Sequence, residues 1–283
     1  MGSATLVNHL EFAGFLCWLL KDLGWVLLCA PLAWPAGIAA LVLEIACLRL
    51  RWGTARTARL VHDVVLVIWL LGNVVWLYSE LLFEPSTESG RQFFWYSGPP
   101  APDHEKYVRG SWAARLLFAL GLSILLLFYV SSAARLRTAT SAPPEAESDL
   151  VGQEDWVFKL VSPEVYELVF IGPWILKDFF WTLDLLWCGL PFGIVATLLV
   201  ADCFRRFHSY TFVAEFLWVL ANAIWMYGEL AQHDAFKAFR VAPALLLITG
   251  CVAICREHLC QSQRRDVELA TEASRLLPSA KAI

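Results

Sequence analysis

The sequence predicts an all-α fold: a polytopic membrane helix bundle of eight transmembrane helices, arranged as two parallel four-helix repeats. Three observations carry this reading. Apolar residues make up 58% of the 283-residue chain, and mean hydropathy is +0.57. These residues gather into runs of about 20, the length a helix needs to cross the hydrocarbon core. The chain also carries two motifs twice. W-L-L-K-D-L-G-W at Trp18–Trp25 returns as W-I-L-K-D-F-F-W at Trp174–Trp181, and W-L-L-G-N-V-V-W-L-Y-S-E at Trp69–Glu80 returns as W-V-L-A-N-A-I-W-M-Y-G-E at Trp218–Glu229.

Taken in order, the runs cover residues 11–30, 34–50, 62–83 and 111–130 in the first half, then 166–185, 188–204, 211–231 and 238–256 in the second. The first two are nearly continuous, interrupted by Pro31 and Pro35, which predicts a tight helical hairpin. Pro35 and Gly37 recur as Pro191 and Gly193, at the same spacing of 156 that separates Asp22 from Asp178 and Glu11 from Glu167. Beyond the second span the spacing falls to 149, because the stretch after Trp52 is longer than its counterpart; Asn73 then matches Asn222, and Glu80 matches Glu229. Four spans per half is an even number, so both halves insert the same way round, as in transporters with parallel repeats.

Lys and Arg set the orientation. Arg49, Arg51, Arg56 and Arg59 follow span two, Arg135 and Arg137 span four, Arg205 and Arg206 span six, and Arg256, Arg264 and Arg265 span eight. The positive-inside rule makes that side cytoplasmic, with both termini. Arg91, Lys106, Arg109, Lys237 and Arg240 fall on the other side and go against the bias.

This divides the chain into a first repeat at 1–137, an acidic cytoplasmic linker at 138–161, a second repeat at 162–258 and a polar cytoplasmic tail at 259–283. Residues 84–110 form a loop on the far side, whose Phe93-Phe94-Trp95-Tyr96 run suits the membrane interface. The linker has the composition of a disordered segment. The tail holds E-A-S-R-L-L at Glu272–Leu277, which resembles an acidic dileucine signal and hints at endosomal, lysosomal or vacuolar membranes. Linker and tail are the places for cytoplasmic partners, and the bilayer itself is the first partner.

Composition excludes other classes. Net charge is −4 with no basic stripe, which argues against nucleic acid. Of the eight cysteines, Cys17, Cys47, Cys203, Cys251 and Cys255 sit in or beside apolar runs and read as small hydrophobes. No C-x-x-C pair supports a zinc or redox site. Cys29 and Cys188, near the first hairpin of each half, are the pair to check for a disulfide. No haem, metal or other cofactor site is evident.

The candidate site is the set of charges within the spans. Glu11, Trp18, Asp22 and Trp25 share one face of span one, and Trp69, Asn73, Trp76 and Glu80 one face of span three. Glu11 to Asp22 covers about 16 Å along the helix at ~1.5 Å per residue. Four mid-membrane charges cost roughly 10–14 kcal/mol before pairing. Adjacent Lys21 and Asp22 point about 100° apart, so each is expected to need a partner on another helix or a hydrated cavity. Lys21, Asp22, Asn73, Glu80, Lys177, Asp178, Asn222 and Glu229 are therefore expected to bind substrate or ions. Trp18, Trp25, Trp69, Trp76, Trp174, Trp181, Trp218 and Trp225 would line the pocket, where indole faces and carboxylates both attract an organic cation.

The leading reading is a small transporter or permease, coupled to protons or cations, that moves a small organic substrate. The alternative is a non-catalytic scaffold or sensor in which the same residues, with Gly14, Gly37 and Gly193, form a structural clamp. A lipid-modifying enzyme pairing Asp22 with Glu80 is the third class. It lacks a recognisable nucleophile, so the chain leans away from catalysis. The paired motifs W-x-L-K-D-x-x-W and W-x-x-x-N-x-x-W-x-Y-x-E resemble those of short four-helix bacterial membrane proteins of unknown function. The resemblance spans both halves and implies a tandem fusion, without implying an activity.

Overall fold

The computed structural model describes residues 3–55, 57–84, 102–139, 163–232 and 237–276. Among them are eight helices and no strand: α1 (Ser3–Val26), α2 (Ala30–Arg51), α3 (Thr57–Phe83), α4 (His104–Ala139), α5 (Pro163–Thr182), α6 (Leu186–Phe207), α7 (Tyr210–Gln232) and α8 (Ala238–Leu276). Six of the expected spans fall within one helix each, whereas those at 11–30 and 166–185 run past the ends of α1 and α5 into the hairpin turns. Six of the helices are long and apolar enough to cross a membrane, so this is an integral membrane protein in contact with the bilayer. The other two, α1 and α5, are the helices that carry the Lys-Asp pairs. The aromatic run at Phe93–Tyr96, linker residues 140–161 and Leu277 lie outside the described residues.

Helices adjacent in the chain pack as neighbours, α4 and α5 included although the linker separates them in sequence. Packing of α8 on α1 closes the ring. Each half therefore contributes its last helix to the other half's first. α1 begins, and α8 ends, at the proximal face, opposite the distal face where the α1–α2 and α5–α6 hairpins turn.

The α1–α2 and α5–α6 hairpins turn in the same way. Leu28 N–H reaches Trp25 O at 2.9 Å and Cys29 N–H reaches Gly24 O at 2.7 Å. In the second half Asp184 N–H reaches Trp181 O at 3.0 Å and Leu185 N–H reaches Phe180 O at 3.0 Å. Each is a Schellman cap that satisfies the last carbonyls of a helix. Its left-handed residue is Leu28 (φ +55°) in one half and Asp184 (φ +58°) in the other, where glycine would be the unstrained choice. The break thus precedes Pro31, which sits in the first turn of α2, and Pro35 and Pro191 lie inside their helices. Gly24 is required at the first hairpin, because a Cβ there would stand 2.5 Å from Ala33 N.

Two arginines tie the halves together at the distal face. Arg240 of α8 is buried and donates to Val26 O, the last residue of α1, at 3.0 Å. Arg115 of α4 donates through Nε to Thr182 O, the last residue of α5, at 2.8 Å, with a second bond from Nη2. A guanidinium at a helix C-terminus meets both the orphan carbonyls and the negative end of the dipole. Arg240 therefore goes against the orientation bias for a structural reason. α4 also begins within the expected 84–110 loop. Asp103 caps it by accepting Lys106 N–H at 3.1 Å, and the exposed Glu105–Arg109 pair supports its first turns. These bonds hold the Asp103 carboxyl below the usual carboxylate range, the Lys106 backbone bond first among them. All the described cysteines, Cys29 and Cys188 included, are free thiols.

Candidate functional site

The inner faces of α1, α3, α5 and α7 form three stacked layers. The distal layer is a closed ring of indoles. Trp25–Trp76 and Trp181–Trp225 stand 4.9 Å apart, Trp76–Trp181 5.4 Å and Trp25–Trp225 5.5 Å, with interplanar angles of 80°, 83°, 86° and 78°. Such edge-to-face pairs each add about 0.5–1.5 kcal/mol beyond area burial. The proximal layer is looser. Trp174–Trp218 stand 4.5 Å apart, Trp18–Trp69 5.5 Å, Trp18–Trp218 5.9 Å and Trp69–Trp174 6.5 Å.

The charges lie between the two indole layers. Trp218 Nε1 donates to Asp22 Oδ2 at 2.6 Å, and Trp69 Nε1 to Asp178 Oδ2 at 2.7 Å. Each bond joins one half to the other. Asn222 Nδ2 lies 3.4 Å from Asp22 Oδ2 and also donates to Trp218 O, as Asn73 does to Trp69 O. Lys21 contacts Asp22 Oδ1 and reaches Asn73 Oδ1 at 3.3 Å. Lys177 pairs with Asp178 at 2.5 Å and is held between the faces of Trp174 and Trp181, at 4.0 Å and 4.6 Å. All six side chains are buried, Lys177 completely.

Asp22, Asp178 and Lys21 have the expected partners on other helices, but the expectation that adjacent Lys and Asp stay apart fails. Adjacent Lys and Asp do diverge at Cβ, yet each lysine folds back onto its neighbouring aspartate, because its four-carbon stem is flexible and long enough. The stems lie on glycines. A Cβ at Gly37 would be 3.4 Å from Lys21 Cγ, and one at Gly193 would be 3.6 Å from Lys177 Cγ.

The remaining sequence candidates lie outside this layer. Glu80 is buried beyond it, where its Oε2 accepts Trp25 Nε1 at 2.8 Å, while its counterpart Glu229 is half-buried. Asp22 and Glu80, paired in the enzyme reading, thus engage different indoles. Trp18, Trp174, Trp181 and Trp225 have buried ring nitrogens with no hydrogen-bond partner.

A cavity of about 360 Å³ opens at the proximal side. Its floor is the proximal indole layer, Trp18, Trp69, Trp174 and Trp218, and its shaft includes Phe12, Phe15, Leu66, Phe170 and Ile171. Neither the eight polar candidates nor Trp25, Trp76, Trp181 and Trp225 line it. The polar layer is therefore sealed beneath an open vestibule.

The vestibule wall holds residues that the repeat reading passed over. Asp63, fully buried, accepts Arg51 Nη1 at 3.2 Å and 3.3 Å and pairs with Arg59 Nε at 3.1 Å. Glu11 pairs with Arg51 and with Arg59 at 3.1 Å. Two guanidinium groups thus balance two carboxylates. Glu44, two turns before the end of α2, is nine-tenths buried and also lines the cavity. A lone carboxylate in the run A-L-V-L-E-I-A-C was the signal for it, since intramembrane ionisable groups default to function. Its counterpart 156 residues on is Val200. No known protein family, curated protein or solved structure matches this chain.

Proposed function

We propose that the chain is a small carrier in which all eight helices cross the bilayer as two parallel four-helix repeats, with the proximal face and both termini in the cytoplasm. Reciprocity supports the repeat. Asp22–Trp218 answers Asp178–Trp69, Arg240–Val26 answers Arg115–Thr182, and the two Schellman caps coincide. α1 and α5 span because their charges are turned away from lipid. The resemblance to four-helix bacterial proteins then reads as the fusion of a former pair.

The observation that carries the carrier reading is the vestibule, open on one side and stopped by a plug of two indole layers with a charged layer between them. The plug is fastened across the halves by Trp218–Asp22 and Trp69–Asp178, so rocking one half against the other undoes both bonds together. Alternating access in repeat-built carriers works through such rigid-body motion around a central site. In proteoliposomes, flux of protons (entrapped pH dye) or of labelled tetraethylammonium is expected. The combination Asp22→Asn with Asp178→Asn should abolish it while a cooperative melting transition remains. Unchanged flux removes the charged layer from the mechanism, and no flux of either kind removes the carrier reading.

The scaffold reading draws support from the same layer, because each charge in it already has a partner. It predicts that Lys21→Leu with Asp22→Leu still folds cooperatively, the apolar replacement of the ion pair offsetting part of the cost of leaving Trp218 N–H without its acceptor. On the carrier reading the same variant folds but is inactive in flux.

A further inference from the structure

We infer that the vestibule binds a monovalent organic cation with an apolar body, with Glu44 as its counter-ion and the Trp18, Trp69, Trp174 and Trp218 rings as its floor. This deepens the carrier reading by naming its substrate class. Glu44 is nine-tenths buried and lines the cavity, and no hydrogen bond or ion pair within 4.0 Å holds it among the described residues. A carboxylate taken out of water without a partner is costly, and a bound cation removes that cost.

The neighbouring charges do not fill this role. Arg51 and Arg59 are committed to Glu11 and Asp63, which leaves that network neutral. His62 places one ring nitrogen 2.7 Å from Ala58 O and the other 2.9 Å from Tyr129 Oη, so both ring nitrogens are engaged by the protein. His258 is stacked on Phe12 at 4.1 Å. Glu257 also faces the cavity on the α8 side, and its printed partners, Tyr210 N–H at 3.1 Å and Gln261 Nε2 at 2.9 Å, are neutral. The surplus is therefore anionic, which selects against an anion.

The rest of the cavity selects the body of the ligand. Phe12, Phe15, Phe170 and Leu66 offer apolar surface that a hydrated inorganic ion cannot use. The indoles at the floor attract a diffuse organic cation through their ring electrons. Among the described residues no three His, Cys, Asp or Glu side chains are arranged to hold a metal.

The experiment is equilibrium binding to the purified full chain, read by calorimetry and by quenching of tryptophan fluorescence. Benzyltrimethylammonium is the probe, and benzenesulfonate is the anion bearing the same ring. The wild type is expected to bind the cation and not the sulfonate. Glu44→Gln, which keeps shape and loses charge, should weaken cation binding about tenfold or more without moving the melting temperature. Equal binding by wild type and Glu44→Gln overturns the counter-ion assignment. Absence of cation binding, or a preference for the sulfonate, overturns the substrate class. Glu44-dependent binding without flux sustains this inference and sinks only the carrier reading, whereas flux without cation binding does the reverse.

Discussion

Replacing the central tryptophans one at a time by phenylalanine separates hydrogen bonding from packing, because the two indole layers contain both bonded and unbonded ring nitrogens. Trp218 Nε1 donates to Asp22 and Trp69 Nε1 to Asp178, whereas Trp225 and Trp181 have buried nitrogens with no partner. The lost ring volume is the same at every position. At Trp218 and Trp69 the change also removes a bond to a buried carboxylate, worth about 1.5–3 kcal/mol. At Trp225 and Trp181 it removes an unsatisfied donor instead, which relieves part of the packing loss. Trp218→Phe and Trp69→Phe should therefore lose at least about 1.5–3 kcal/mol more stability than Trp225→Phe and Trp181→Phe. Denaturant-driven unfolding in a fixed detergent measures the four differences. The double variant Trp69→Phe/Trp218→Phe closes a cycle, and a coupling above ~0.5 kcal/mol is expected from two residues whose rings lie 6.3 Å apart. Equal losses at all four positions would refute the assignment of the inter-half bonds.

Two further outcomes follow from the same layer. Lys177→Met leaves Asp178 charged in a dry layer and should cost about 3–5 kcal/mol; adding Asp178→Asn, which still accepts the Trp69 N–H, should restore most of it, as read by melting temperature. Gly37→Val pushes the Lys21 stem off its bed and should cost about 1–3 kcal/mol from overpacking, whereas Gly172→Val, with nothing within 4 Å of its Cβ, should be near neutral, since Val is no worse a helix former than Gly.

The sequence held the helices and the inward stripes, because both are periodic and occur twice. Lys21, Asp22 and Asn73, with their counterparts 156 or 149 residues on, could be placed at one depth from spacing alone. What escaped notice had no period. Leu28 and Asp184 occupy left-handed positions without the glycine that marks such a cap. Arg240 reads as a stray charge, and nothing in its span marks Arg115, because their partners are carbonyls on the other half, distant in sequence. Glu44 was passed over for a related reason: weight given to residues present twice discounts one whose counterpart is Val200. The mutual contact of adjacent Lys and Asp was missed because helical angles fix Cβ and not the end of a lysine.

Both Glu44 and Val200 line the vestibule, and this difference has a consequence for binding. A pair of identical subunits must repeat every change on both sides of its axis, so any pocket on that axis receives two copies of each charge. A single polypeptide is free of that rule and can place an acid on one wall while leaving its opposite number aliphatic. A guest with one charged end then has one preferred way to lie, rather than two equivalent ones.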